Sequence, residues 1–77
     1  MIQPAASLDL RGTPCPLNYS RSKLALEKLE PGAWLQLDLD AGEPEQMVAS
    51  GLRADGHRVE LEPLQPDGVR LRVRRHG

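Results

Sequence analysis

The 77-residue chain contains no phenylalanine and only one tryptophan, one tyrosine and one cysteine. So few aromatic rings leave little surface on which bases could stack, and a formal charge of -1 offers no positive excess for a phosphate backbone. No nucleic-acid partner is expected. A lone cysteine cannot close an internal disulfide. The opening residues MIQPAASLDL lack the basic start and apolar run of a signal peptide, and no stretch nears the ~20 apolar residues that cross a bilayer. These absences predict a cytoplasmic protein without membrane contact, and nothing in the chain demands more than a monomer. His57 and His76 have no metal-ligand spacing to each other or to Cys15, and the acidic run DLDAGEPE has Gly42 and Pro44 at the wrong offsets for a calcium loop. No metal is expected. There is also no Ser-His-Asp arrangement and no glycine-rich phosphate loop.

What is present suffices for one small domain, which buries only about 60% of the surface its unfolded chain exposes. The core must come from Leu, Val and Ala. Residues 1–6 mix Pro, Gln and Ala without periodicity and read as a loose, disordered tail, leaving residues 7–75 as a single domain. In SLDLR, Leu8 and Leu10 alternate with polar residues, the period of a short strand. PLNYSRSKLALEK, from Pro16 to Lys28, reads as a helix stopped by Glu30, Pro31 and Gly32. At 100° per residue, Tyr19, Ser22, Leu26 and Leu29 share one face with Ala25 at its margin, while Leu17 and Leu24 lie nearly opposite.

WLQLDLD is the clearest strand, with Leu35, Leu37 and Leu39 on one side. Pro44 opens a second helix whose apolar side is Met47, Val48, Gly51 and Leu52, closed by Gly56. HRVELEP and GVRLRVRR alternate again around QPDG, which is turn chemistry, and so predict an antiparallel hairpin with Val59, Leu61, Val69, Leu71 and Val73 on one side. On its other face Glu60 and Glu62 fall near Arg70, Arg72 and Arg74, so cross-strand pairing explains this basic run better than nucleic-acid contact. The order is β-α-β-α-β-β. The predicted fold is α+β, a two-layer α/β sandwich: a four-stranded mixed sheet with two helices on one face and the other face open to water.

The cysteine sits in RGTPCPLN, residues 11–18, bracketed by Pro14 and Pro16. Pro16 disfavours helical dihedrals at the residue before it, so Cys15 is expected at the N-cap, with Pro16 as the first helical residue. The sulfur would then lie at the positive end of a helix, where the backbone N–H groups of Leu17 and Asn18 lack intrahelical acceptors. Such a position favours a thiolate, and Arg11 would add to the effect. A free cysteine is more often a small buried hydrophobe. A buried filler, however, gains nothing from a proline that fixes its backbone at a helix start.

Asp9, Gly12, Cys15 and Pro16, followed by a helix ending in LEPG and then a strand, resemble the TusA-type sulfur-carrier family, also grouped as SirA-like proteins. The resemblance runs over residues 7–75. It implies that Cys15 carries a persulfide received from a cysteine desulfurase or another sulfur donor protein and yields it to a sulfur-acceptor protein, with no metal or organic cofactor. From the residues themselves, Arg11, Gly12, Pro14, Pro16, Leu17 and Asn18 are the candidate supports around the sulfur. The chain departs from the family's Cys-Pro-x-Pro motif at Asn18, which replaces the second proline. Asparagine offers the sulfur a backbone N–H and side-chain amide donors that proline lacks.

A carrier must dock its cysteine against other proteins. Leu17 and Leu24, with Arg21 between them, are the candidate docking strip, unless the helix phase is wrong and both leucines are core. Two readings compete with the carrier. One is a binding or regulatory module that keeps the fold without sulfur transfer. The other is a redox-sensing thiol, which would need an intermolecular partner because no second cysteine is present.

Overall fold

The computed structural model describes residues 4–64 and 66–76. Six elements follow in the order β1 (Ala6–Asp9), α1 (Leu17–Glu27), β2 (Trp34–Leu39), α2 (Glu43–Ala54), β3 (Arg58–Pro63) and β4 (Val69–Arg74). The sheet order is β1-β2-β4-β3, with β1 parallel to β2 and the other two pairs antiparallel. The α+β sandwich read from the periodicity is therefore the architecture observed.

Alternation along each strand decides which face is buried. Leu8, Leu37, Leu71 and Leu61 lie side by side across the sheet. The central pair Leu37 and Leu71 is fully buried, Leu8 is half-buried, and Leu61 on the outer strand is 47% exposed. Two helices cannot cover the full width of four strands, so burial fades toward the β3 edge. Under the helices, Leu10, Leu26, Leu35, Leu39, Val48, Ala49, Leu52 and Val73 complete the core. The leucine and valine side chains among them each contribute about 1.5–3 kcal/mol by leaving water.

The opposite face is polar and organised by charge. Arg70 binds the Asp38 carboxylate through Nε at 2.8 Å and Nη2 at 3.2 Å, and Arg72 reaches Glu62 at 2.7 Å. The expected pairing of β3 and β4 charges thus holds for Arg72. Arg70, opposite Glu62 in register but also opposite Asp38, turns to the partner in the better-buried central strand. The loop joining β3 and β4 is closed by the Leu64 N–H on the Gly68 carbonyl, 3.0 Å. Gln65, the first residue of the expected QPDG turn, lies outside the described residues.

Three expectations about the elements change. The loose segment is shorter: the Ala5 N–H donates to the Trp34 carbonyl at 2.8 Å and Ala6 begins β1, because pairing with β2 satisfies main-chain groups that a tail would leave to water. Met1 to Gln3 fall outside the described residues. In α2, Val48, Ala49 and Leu52 form the buried stripe, while Met47 is 54% exposed on the flank facing α1. Pro44 is the second residue of α2, after Gly42 as N-cap and Glu43 as first residue.

Gly51 shares that flank with Met47, four residues on, and packs tightly against Tyr19 of α1. A Cβ there would lie 2.6 Å from Tyr19 Cε1 and 2.9 Å from Cδ1. The Tyr19 hydroxyl donates to the Asp55 carboxylate at the end of α2, so the ring is held at both ends and cannot swing aside. Alanine gains about 1 kcal/mol over glycine in helix propensity, but forced overpacking costs about 1–3 kcal/mol. Gly51→Ala is expected to lose about 1 kcal/mol or more, lowering the melting temperature by about 4–8 °C per kcal/mol in calorimetry. A raised melting temperature would show that the helices do not pack this closely.

Candidate functional site

The segment between β1 and α1 is folded by short-range bonds that begin with the sequence itself. Asp9 and Arg11 form a bidentate pair, Nε to Oδ1 and Nη2 to Oδ2, both 2.9 Å, and the Arg11 N–H also donates to Asp9 Oδ1 at 3.1 Å. The Thr13 N–H then closes a turn on the Leu10 carbonyl at 3.0 Å. The third residue of that turn is Gly12 at φ +80°, a conformation glycine adopts without a Cβ penalty. The Gly12 N–H donates to Asp40 Oδ2 at 2.8 Å, which ties the turn to the end of β2. Asp9, Gly12 and Asp40 thereby set where the next residues can go.

Cys15 is exposed, so the buried-filler reading does not apply. Its position relative to α1 differs by one residue from expectation. Pro16, at φ -90° and ψ 9°, is the N-cap and Leu17 the first helical residue; Cys15 precedes the cap, and the Cys15–Pro16 peptide is cis. The reason is visible in the bonding. The Pro14 carbonyl accepts the Asn18 N–H at 3.1 Å and the Pro16 carbonyl accepts the Ser20 N–H at 3.0 Å, so helical turns already close on the residues around the cysteine. The backbone N–H of Asn18, expected to face the sulfur, is therefore used by Pro14.

The side chain of Asn18 takes over that role. Its Nδ2 donates to Cys15 Sγ at 3.2 Å, and its Oδ1 accepts the Tyr19 N–H at 2.7 Å. Asn18 is fully buried, an unusual place for an amide unless each end is satisfied. Its carbonyl receives the Ser22 hydroxyl at 2.8 Å, locking the first turn around it. Arg11, expected to lend charge to the sulfur, is instead engaged by Asp9. Leu17 lies at the helix start and is 51% exposed, so its side chain is left to solvent.

Beside the sulfur is an apolar depression of about 230 Å³ lined by Cys15, Pro16, Asn18, Tyr19, Met47 and Gly51. Half of this wall comes from residues that the sequence reading assigned to packing. The legible signal was Gly51: a glycine inside a helical run lowers helix propensity and usually marks a close neighbour. Nothing local flagged Met47, whose role depends on how α2 sits against α1.

Leu24 is 59% exposed, and with Leu17 and the exposed Arg21 it forms a continuous strip on the outer face of α1. The helix phase was right: Ser22 and Leu26 are buried, with Tyr19, Ala25 and Leu29 packed at the core. His57 and His76 do meet, the His76 N–H donating to His57 Nδ1 at 3.0 Å. Among the described residues, no three of His, Cys, Asp or Glu converge as metal ligands. No helix among them is long and apolar enough to cross a membrane.

The family model described as Sulfurtransferase TusA matches residues 6–75. The chain belongs to the TusA family. A Thermotoga maritima protein named "Putative sulfur carrier protein" is 27% identical over 73 residues, covering 94% of this chain and 92% of that one. The crystal structure of a SirA-like protein from Desulfitobacterium hafniense superposes with a TM-score of 0.83 at 20% identity, covering 94% of this chain and 99% of the other. The latter likeness establishes the fold. The membership draws attention to Asn18, because it stands where the TusA motif carries its second proline.

Two measurements check this geometry. If the Asn18 amide stabilises negative charge on Sγ, Asn18→Ala and Asn18→Pro should slow alkylation of Cys15 by iodoacetamide at pH 7. The loss of one hydrogen bond of about 1 kcal/mol predicts a decrease of about threefold to fivefold. An equal or faster rate would remove Asn18 from the site. Separately, the side-chain and backbone bonds from Arg11 hold the Asp9 carboxyl down at about 2, from 3.8. A carboxyl depressed on folding contributes stability above its unfolded value, and that contribution is lost as pH falls from about 4 through 2. An NMR titration of Asp9 should show the low midpoint in the native chain and a return toward 3.8 in Arg11→Gln. A midpoint unmoved by that change would mean the pair does not hold the turn.

Proposed function

We propose that this TusA-family chain is a sulfur carrier that holds a persulfide on Cys15 and relays it between proteins. The reading rests on one observation: an exposed sulfur at the start of α1 is held by the amide of a fully buried asparagine. A sulfur so placed can be reached by another protein's active site, while its donor stays fixed by the core.

The chemistry is two displacements with no net oxidation. The Cys15 thiolate attacks the outer sulfur of a donor persulfide; the new Sγ–S bond forms as the donor's S–S bond breaks, and the donor leaves as a thiolate. The terminal sulfur remains on Cys15 as the persulfide anion or its protonated form. An acceptor nucleophile then attacks that outer sulfur, and the Cys15 thiolate departs with the electron pair. Both steps interconvert S–S bonds and thiolates, so no metal or organic cofactor is required. The Asn18 Nδ2–H group serves whenever Sγ carries charge, which is at the start of loading and the end of delivery. Its hydrogen bond favours Sγ as a leaving group in the second step.

The donor is of the cysteine-desulfurase type, and the acceptor is a second protein. Both must approach the β1–α1 segment, and the exposed strip Leu17, Arg21 and Leu24 begins two residues from Cys15. Apolar side chains of this kind, with a cation between them, suit a partner surface that is apolar with an acidic rim. In this reading the protein acts in the cytoplasm, as a monomer between encounters.

The test is incubation with a cysteine desulfurase and cysteine, followed by intact-mass measurement. The chain should gain the mass of one sulfur atom, reversed by a thiol reductant and absent in Cys15→Ser. Leu24→Glu should slow the gain without unfolding the domain, since the side chain is at the surface. A chain that gains no sulfur from several desulfurases, yet retains a partner unchanged in Cys15→Ala, would instead be a binding module.

A further inference from the structure

The end of the molecule away from Cys15 carries a second feature that sulfur transfer does not use. The chain enters α1 beside Cys15 and leaves it toward Pro31 and Gly32. There, with Gly56 and the end of β4, it forms an open cleft of about 420 Å³ lined by Arg58, Arg74, Arg75 and His76. Among the described residues no carboxylate lines it. We propose that this cleft binds a phosphate oxyanion, either free or as part of a phosphate ester.

The sheet register carries the argument. Elsewhere on the open face the arginines of β4 stand opposite acids, Arg72 against Glu60 and Arg70 against Glu62 and Asp38. At the last position Arg58 and Arg74 stand directly opposite each other. Like charges in that arrangement are destabilising. Arg58 is relieved in part by Glu60 on its own strand, 3.1 Å away and exposed. Arg74 has no carboxylate partner among the described residues, and its Nη2 lies 3.6 Å from where a Gly32 Cβ would be.

Helix C-termini explain only part of this cluster. Arg75 donates Nη1 to the Leu29 carbonyl just past α1, an ordinary use of a cation at that end. Among the described residues, Arg58 and Arg74 make no such bond. Without side chains, Gly32 and Gly56 let Arg74 and His76 lie close against the main chain at the cleft wall. A tetrahedral dianion can accept from several guanidinium forks at once, and this geometry is where arginine surpasses lysine. Binding one would replace a repulsive Arg58–Arg74 pair by two attractive contacts.

Trp34, the only tryptophan, lies directly opposite Arg74 on the same face and supplies the readout. The full chain at low ionic strength is titrated with pyrophosphate while Trp34 emission is followed, with sodium chloride at matched ionic strength as control. The expected result is a saturable change that chloride does not reproduce. Arg74→Ala and Arg58→Ala should each weaken it about tenfold, the scale of one charge-assisted contact. Arg72→Ala, whose guanidinium is on Glu62, and Cys15→Ser should bind as the native chain does. The second of these separates the result from the fate of the sulfur-carrier reading. Adenosine 5′-diphosphate provides the other arm: tighter binding than pyrophosphate supports the site with an esterified ligand, and no tighter binding supports it with the free anion. A linear, chloride-like response, or native affinity in Arg74→Ala, overturns the proposal.

Discussion

The site depends on where a single buried amide can point. Proline at the N-cap has no side-chain oxygen to satisfy the first helical N–H groups, and one of these, on Tyr19, is taken by Asn18 Oδ1. Once that oxygen is committed, the amide plane is set, and Nδ2 has nowhere to face but outward, where Cys15 Sγ accepts it. Burial strengthens both bonds, because the amide has no water to turn to. The Ser22 hydroxyl on the Asn18 carbonyl and the Asn18 N–H on Pro14 fix the backbone on either side. An exposed, mobile side chain making the same contact would hold the sulfur far less firmly.

The surrounding fold supplies position and separation. A row of leucines across the sheet gives the helices a floor, and the parallel β1–β2 pair places the exit from β1, and hence Cys15, at one end of that floor. The Asp9–Arg11 pair and the Asp40 bond to the Gly12 N–H keep the exit turn from wandering. Tyr19 against Gly51 brings α2 close enough that Met47 walls the depression beside the sulfur. The cationic cleft lies at the other end of the same sheet. The two features share a scaffold but no residue.

Much of this was legible in the sequence, where the period of the apolar residues is unambiguous. Leu35, Leu37 and Leu39 alternate with polar residues, and so do Val69, Leu71 and Val73; each set marks one face of a strand, and all six strands and helices appear where that spacing predicts. The α1 face was legible but not decided, since two apolar sets lay on opposite sides; Ser22 and Leu26 are buried, which leaves Leu17 and Leu24 outside. Cysteine between two prolines ahead of a helix marked the candidate site.

The departures share a cause in long-range placement. Nothing local says that β3 is an outer strand, where Leu61 stays 47% exposed while Leu71 on the same face is buried. The Pro14 carbonyl captures the Asn18 N–H only because of the path of the chain through residues 12–16, which moves Cys15 one residue outside the cap and shifts the sulfur's donor from main chain to side chain. Met47, and the meeting of Arg58 with Arg74, depend likewise on elements distant in sequence. The most direct check on the central contact is the side-chain amide resonance of Asn18 in ¹H–¹⁵N spectra, followed as Cys15 is deprotonated and again after it is loaded with sulfur. The expected result is a slowly exchanging amide proton whose shift tracks the charge on Sγ; Asn18 side-chain signals indifferent to both changes would contradict the account.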